Sequence, residues 1–208
     1  MTKLIVALDG EPGLETRIMI SNLAKAGVRW FKVGVPMVCS PEGLRTAAFI
    51  PLRDAQVMLD LKLYDTRDTV LRAVDAAAKM GAAMLTVHAD CVPYVASEDR
   101  LRVIAVRRLT DGTAGDAPVA WETPAPGFVC PFPYVRGLRL LTDKTIITPG
   151  VRPTGADANN HVATATPRQA TAAGADYIVV GRPIYAATDP VEAAKHILRE
   201  LADAPHPG

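Results

Sequence analysis

The 208-residue chain has little of several things that would each point to a class of protein. Aromatic residues make up only 5%, and Lys+Arg 23 against Asp+Glu 22 leaves a formal net charge of +1. That balance removes the basic footprint a nonspecific nucleic-acid binder needs. An apolar share of 49% with mixed charge excludes a disordered chain. The three cysteines, Cys39, Cys91 and Cys130, lie far apart with no CxxC pair, so neither a disulfide framework nor a zinc cluster is readable. HxH and HExxH spacings are missing as well, and no metal is implied. No apolar run reaches the roughly 18 residues of a membrane span, and the opening MTKLIVALDG lacks a signal-peptide layout. The expectation is a single cytoplasmic domain, residues 1–208, acting on a small molecule, with no nucleic acid and no membrane as partner.

What is present is a rhythm. Short β-branched runs alternate with longer Ala-rich segments of helical character, the pattern of βα units around a parallel sheet. Eight runs read as strands: 4–9, 30–35, 56–63, 83–88, 101–106, 127–130, 145–148 and 176–181. Helices are expected over 14–27, 41–54, 68–80, 134–142, 167–173 and 190–202. Eight such units predict a closed (β/α)₈ TIM barrel of the α/β class, with a six-stranded doubly wound sheet as the competing reading. Residues 111–133 break the rhythm with Pro118, Pro124, Pro126, Pro131 and Pro133. Such a stretch cannot carry the helix due after strand five. The barrel is therefore expected to be compact, with a shortened unit there, since the fold usually takes about 250 residues.

The chemistry concentrates in VMLDLKLYD, residues 57–65. Strand alternation puts Val57, Leu59, Leu61 and Leu63 on the helix-facing side and turns Asp60 and Lys62 into the barrel. The same parity turns Lys32 inward, sets Asp9 at the end of strand one and leaves Asp65 on the loop after strand three. Charges at the C-terminal end of barrel strands belong to active sites more often than to structural ion pairs, the bland reading of this set. Further on, TPGVRP (148–153) and VVGRPIY (179–185) follow strands seven and eight, the loops that build the common barrel phosphate site. Gly150, Arg152, Gly181 and Arg182 are the candidate anion contacts, unless PG and RP merely punctuate turns. His88 ends strand four facing inward beside Thr86 and reads as a hydrogen-bonded core residue, with support of the charge cluster as its second reading. The arginines at 100, 102, 107 and 108 read as a solvated rim, and Trp30 and Trp121 as isolated.

Over nearly its whole length the chain resembles the orotidine 5′-phosphate decarboxylase family. The resemblance is carried by IVALD (5–9), FKVG (31–34), LDLKLYDTRDT (59–69), VHA (87–89), TPGVRP (148–153), TPRQA (166–170) and GADYIVVGRPI (174–184), of which the third is the most specific. The resemblance implies a cofactor-free decarboxylation of orotidine 5′-monophosphate to UMP through a carbanion at C6. It implies a catalytic tetrad of Lys32, Asp60, Lys62 and Asp65, with Lys62 the proton donor. It further implies a homodimer in which Asp65 and Thr69 act across the interface. Asp9, Thr69, Thr110, Arg152, His161, Gly181 and Arg182 are the implied substrate contacts. Relatives acting on keto-sugar phosphates are expected to carry Glu on strand two and magnesium, and Lys32 stands against them. The same motifs also suit a decarboxylase of a modified pyrimidine nucleotide, or a nucleotide-binding barrel without activity. The chain departs from the family pattern at DTRDT, at Asp111, where a serine is expected, and at His161, where a glutamine is usual.

Overall fold

The structure, a computed structural model, describes residues 1–95, 101–107, 123–154 and 165–205. Eight parallel strands close a barrel in sequence order: β1 (Lys3–Ala7), β2 (Trp30–Gly34), β3 (Gln56–Leu63), β4 (Met84–His88), β5 (Arg102–Val106), β6 (Gly127–Val129), β7 (Thr145–Thr148) and β8 (Tyr177–Val180), with β8 pairing back onto β1. Each expected strand is found, and closure rules out the doubly wound sheet. Outside lie α1 (Leu14–Lys25), α2 (Val35–Val38), α3 (Pro41–Phe49), α4 (Arg67–Lys79), α5 (Phe132–Arg139), α6 (Pro167–Ala173), α7 (Arg182–Tyr185) and α8 (Pro190–Ala202).

The helix boundaries follow local chemistry. Ser40 caps α3 by accepting from the Gly43 N–H, and Pro51, which has no N–H to continue the helical hydrogen bonds, ends it before the expected 54. Thr166 and Gln169 form a reciprocal capping box at the start of α6, where Pro167 needs no donor. Asp189 caps α8 through the Val191 and Glu192 N–H groups. Helix α5 begins at Phe132, two residues before the expected 134, since Pro131 and Pro133 sit at positions where a helix start tolerates proline. The helix-free reading of 111–133 concerns a stretch that lies mostly outside the described residues. Its described part, 123–133, holds β6 and the first turn of α5.

Strand alternation splits the core in two. The larger layer lies between barrel and helices and includes Val6, Phe31, Val33, Val57, Leu59, Leu85, Val87, Phe128, Ile146, Ile178 and Val180. The smaller fills the barrel with Ile5, Ala7, Trp30, Met58, Met84, Ile104, Ile147, Tyr177 and Val179. Trp30 is therefore part of the packed interior, edge-on to Tyr177 with ring centroids 5.2 Å apart. Arg102 corrects the reading of a solvated rim. It starts β5 facing inward, donates to the Tyr177 hydroxyl at 3.0 Å and lies over the Trp30 ring, plugging the N-terminal end. Asp60 and Lys62 lie at the opposite, C-terminal end of the barrel. Arg139 steadies the β7–β8 side of the barrel, donating to the Asp176 carboxylate at 2.6 Å and to the carbonyls of Thr142, Lys144 and Gly174.

Candidate active site

The site begins with a slip in β3. Leu59 pairs with Leu85 and Leu63 with Val87, so four residue steps on β3 face two on β4. The excess is taken up around Lys62, whose backbone is left-handed at φ 48°. Non-glycine residues enter that region only where their surroundings hold them there. Leu61 and Leu63 still pack against the outer core while Asp60 and Lys62 stay at the barrel end, so the expected parity survives the bulge.

Four charged side chains meet there. Lys62 Nζ lies 2.8 Å from Asp60 Oδ1, and Lys32 Nζ lies 3.3 Å from both Asp60 Oδ2 and Asp9 Oδ1. Thr86, fully buried on β4, donates its hydroxyl to Asp60 Oδ1 at 2.9 Å. Burial by itself would raise the Asp60 carboxyl. The charge of Lys32, the hydrogen bond and charge of Lys62 and the Thr86 hydroxyl outweigh it and hold the group below the usual carboxylate range. The side chains of Lys32 and Asp60 are 13% exposed against 40% for Lys62, so Lys62 is the more accessible of the two ammonium groups.

Asp65 does not join this cluster within its own chain. It sits on the exposed loop, where its Oδ1 accepts from the Thr66 N–H at 2.6 Å, and that bond, helped by the side chains of Thr69 and Thr66, holds its carboxyl below the ordinary value. Thr69 lies on the first turn of α4, 3.0 Å from the Thr66 hydroxyl. His88 corrects the reading of a core residue. It stands part-exposed at the rim, its ring tilted against Tyr64 with centroids 4.6 Å apart, and its Nδ1 accepts from the Asp90 N–H at 3.4 Å.

Across the barrel end, a cavity of about 240 Å³ is lined by Asp9, Lys32, Asp60, Gly150, Arg152, Gly181, Arg182 and Tyr185 among others. It joins the charged strand residues to the two loops expected to bind an anion. Arg152 is buried with its Nε unpartnered, and burial, aided by the nearby Arg182 charge, lowers the affinity of its guanidinium for its proton. Two cations crowded against each other, one with a free buried donor, form a pocket that favours an anion. Gly150 turns with φ 75°, a conformation that suits glycine. A side chain on Gly181 would place its Cβ 3.2 Å from Asp9 Oδ2. Thr110 and His161, and with them Asp111, lie outside the described residues. Two site residues had no role from sequence. Thr86 was only an inward parity position, and Tyr185 was the last letter of VVGRPIY. A short helix after Gly181 is what brings Tyr185 to the pocket.

Similarity to known proteins identifies what this geometry is related to. The model of the orotidine 5′-phosphate decarboxylase / HUMPS family matches residues 2–91 and 108–197. The chain belongs to that family. It is 35% identical to the orotidine 5′-phosphate decarboxylase of Methylobacterium sp. (strain 4-46) and 36% identical to that of Methylobacterium nodulans, covering 97% of this chain and 96% of each relative. Both alignments run over 233 positions, more than the 208 residues here, so these relatives carry segments this chain lacks. Among solved structures, the orotidine 5′-phosphate decarboxylase from Lactobacillus acidophilus superposes with a TM-score of 0.76 at 26% identity, covering 97% of this chain and 99% of that one. The family match takes in every strand except β5 and includes each charged residue of the cluster.

Proposed function

We propose that this protein decarboxylates orotidine 5′-monophosphate to UMP without a cofactor, as a cytoplasmic homodimer of single-domain subunits. The observation that carries the reading is the Lys32–Asp60–Lys62 array, held at 3.3 and 2.8 Å, of which Lys32 and Asp60 line the same cavity as Arg152 and Arg182. The phosphate would lie against Arg152 and Arg182, with Gly150 and Gly181 leaving room for close approach of the backbone. The ribose would reach Asp9 and Lys32, and the pyrimidine would lie over Lys62.

In this pose the substrate carboxylate faces Asp60. The bond from C6 to the carboxylate breaks, its electron pair stays on C6 and carbon dioxide leaves. The Lys62 ammonium stabilises the developing charge and then gives its proton to C6. Relief of repulsion between Asp60 and the departing carboxylate adds to the driving force. Lys32, shared between Asp9 and Asp60, keeps the Asp60 carboxylate ionised and aimed. Asp65, exposed and bonded to the neighbouring Thr66 and Thr69, is placed to enter a partner's site together with Thr69. Thr110 and His161 complete the set of proposed substrate contacts.

Following the absorbance of orotidine 5′-monophosphate tests this reading, with purified protein in the presence and absence of EDTA. The expected result is loss of substrate absorbance at the same rate in both. Absence of turnover with retained UMP binding would assign a binding module instead. Turnover of a keto-sugar phosphate that EDTA abolishes would move the protein to another branch of the family.

A further inference from the structure

The bond network behind the charged cluster singles out one neutral residue. Lys62 has no register partner on β2 or β4 among the described residues, because the slip in β3 carries it out of the ladder. Its backbone N–H is met instead by the Thr86 hydroxyl at 2.9 Å. The same hydroxyl lies 2.9 Å from Asp60 Oδ1. A hydroxyl carries one proton, and a backbone N–H can only donate. The oxygen of Thr86 must therefore accept from Lys62 and spend its single proton on Asp60, so both bonds have a fixed direction.

We infer that Thr86 is a positioning residue for the decarboxylation proposed above. Its hydroxyl locks the left-handed backbone of Lys62 and the carboxylate of Asp60 to one point on β4, which sets the distance between proton donor and carboxylate. Three features of the site support this. Thr86 is fully buried on a packed strand, so its hydroxyl has a fixed place. Asp60 Oδ1 accepts from both Thr86 and Lys62 Nζ, which leaves that oxygen unprotonated and fixes the rotation of the carboxylate. Lys62 holds φ 48°, a backbone that relaxes unless something outside its own strand restrains it. The charged groups around Asp60 are Lys32 from β2, Lys62 from its own strand, and Asp9 beyond Lys32, while His88 on β4 is turned to Asp90. Thr86 is the neutral member that orders them.

Thr86→Val keeps the β-branched shape and removes the hydroxyl, and Thr86→Ser keeps the hydroxyl and removes a methyl group. For Thr86→Val the expected result is a kcat lower by about 100-fold, the size of effect a small misplacement of reacting groups produces, with KM little changed because Thr86 does not line the phosphate pocket. Thr86→Ser restores most of the rate. Loss of a donor to the carboxylate also moves the Asp60 titration, followed by carbon NMR of labelled aspartate, to higher pH in Thr86→Val. Wild-type kcat in Thr86→Val, or an equal loss in Thr86→Ser, overturns the inference. If the wild-type protein does not turn over orotidine 5′-monophosphate, the functional reading fails. The Asp60 titration then still decides the clasp: an upward move in Thr86→Val upholds it, and no move removes it.

Discussion

At the scale of single residues, the site is a contest between burial and charge at Asp60. Burial of a carboxylate this enclosed favours its protonated form, and two ammonium groups outweigh that. The pH dependence follows from the direction of the shift. The folded-state value lies below the ordinary 3.8, so the ionised form stabilises the fold. That contribution is complete above the unfolded value and is lost as pH falls through the folded one. The difference in urea midpoint between wild type and Asp60→Asn is therefore expected to stay level from pH 6 to about pH 5 and to shrink as pH falls further to 3. A difference that grows on acidification would show that burial dominates. At Cys130, whose thiol donates to the Pro131 carbonyl at 3.4 Å, burial is the cause of the shift. It pushes the thiol up to about 12, which leaves Cys130 an inert core residue.

At the scale of elements, β3 and the turn after β8 do most of the positioning. Gly181 separates β8 from α7 at a point where Asp9, Ala7 and Tyr185 crowd in, and an added Cβ would stand 3.2 Å from the Asp9 carboxylate. Asp9 is exposed enough to swing aside, so Gly181→Ala is expected to fold with a nearly unchanged Tm. Its KM for orotidine 5′-monophosphate should rise about tenfold, near the lower end of what one misfit methylene-sized change does in a ligand pocket. A wild-type KM would separate Gly181 from substrate binding. The strands and their inward positions were legible in the sequence, because alternation in IVALD, FKVG and LDLK maps directly onto the two core layers. The bulge at Lys62 was not legible, since its cause is the pairing of β3 with β4 and no local residue marks it. The inward turn of Arg102 was hidden for a related reason. Four arginines close in sequence look like a rim until strand register assigns one of them to the barrel floor. His88 was placed facing inward correctly, but its proximity to the open end and to Tyr64 keeps it out of the core.

At the scale of the whole molecule, the barrel brings residues from both ends of the chain to one opening. Asp9 follows the first strand, Lys32 and Asp60 lie on the second and third, Arg152 and Arg182 come from the segments after the last two, and closure of β8 on β1 makes them neighbours. Among the described residues, Asp65 and Thr69, both implied by the family resemblance, stay outside this convergence. Asp65 is exposed on its loop, and a second subunit would give it a function. Lys62→Ala and Asp65→Ala place the two lesions on opposite sides of such a shared site. Co-expressing the two variants with different tags and purifying through both tags isolates the mixed dimer, whose turnover of orotidine 5′-monophosphate is then measured beside each parent. Each parent should bind UMP and be inactive, whereas the mixed dimer should recover about half of the wild-type rate, since a two-fold dimer then holds one intact site and one doubly damaged site. Substantial turnover by Lys62→Ala alone, or an inactive mixed dimer that still binds UMP, would contradict the account.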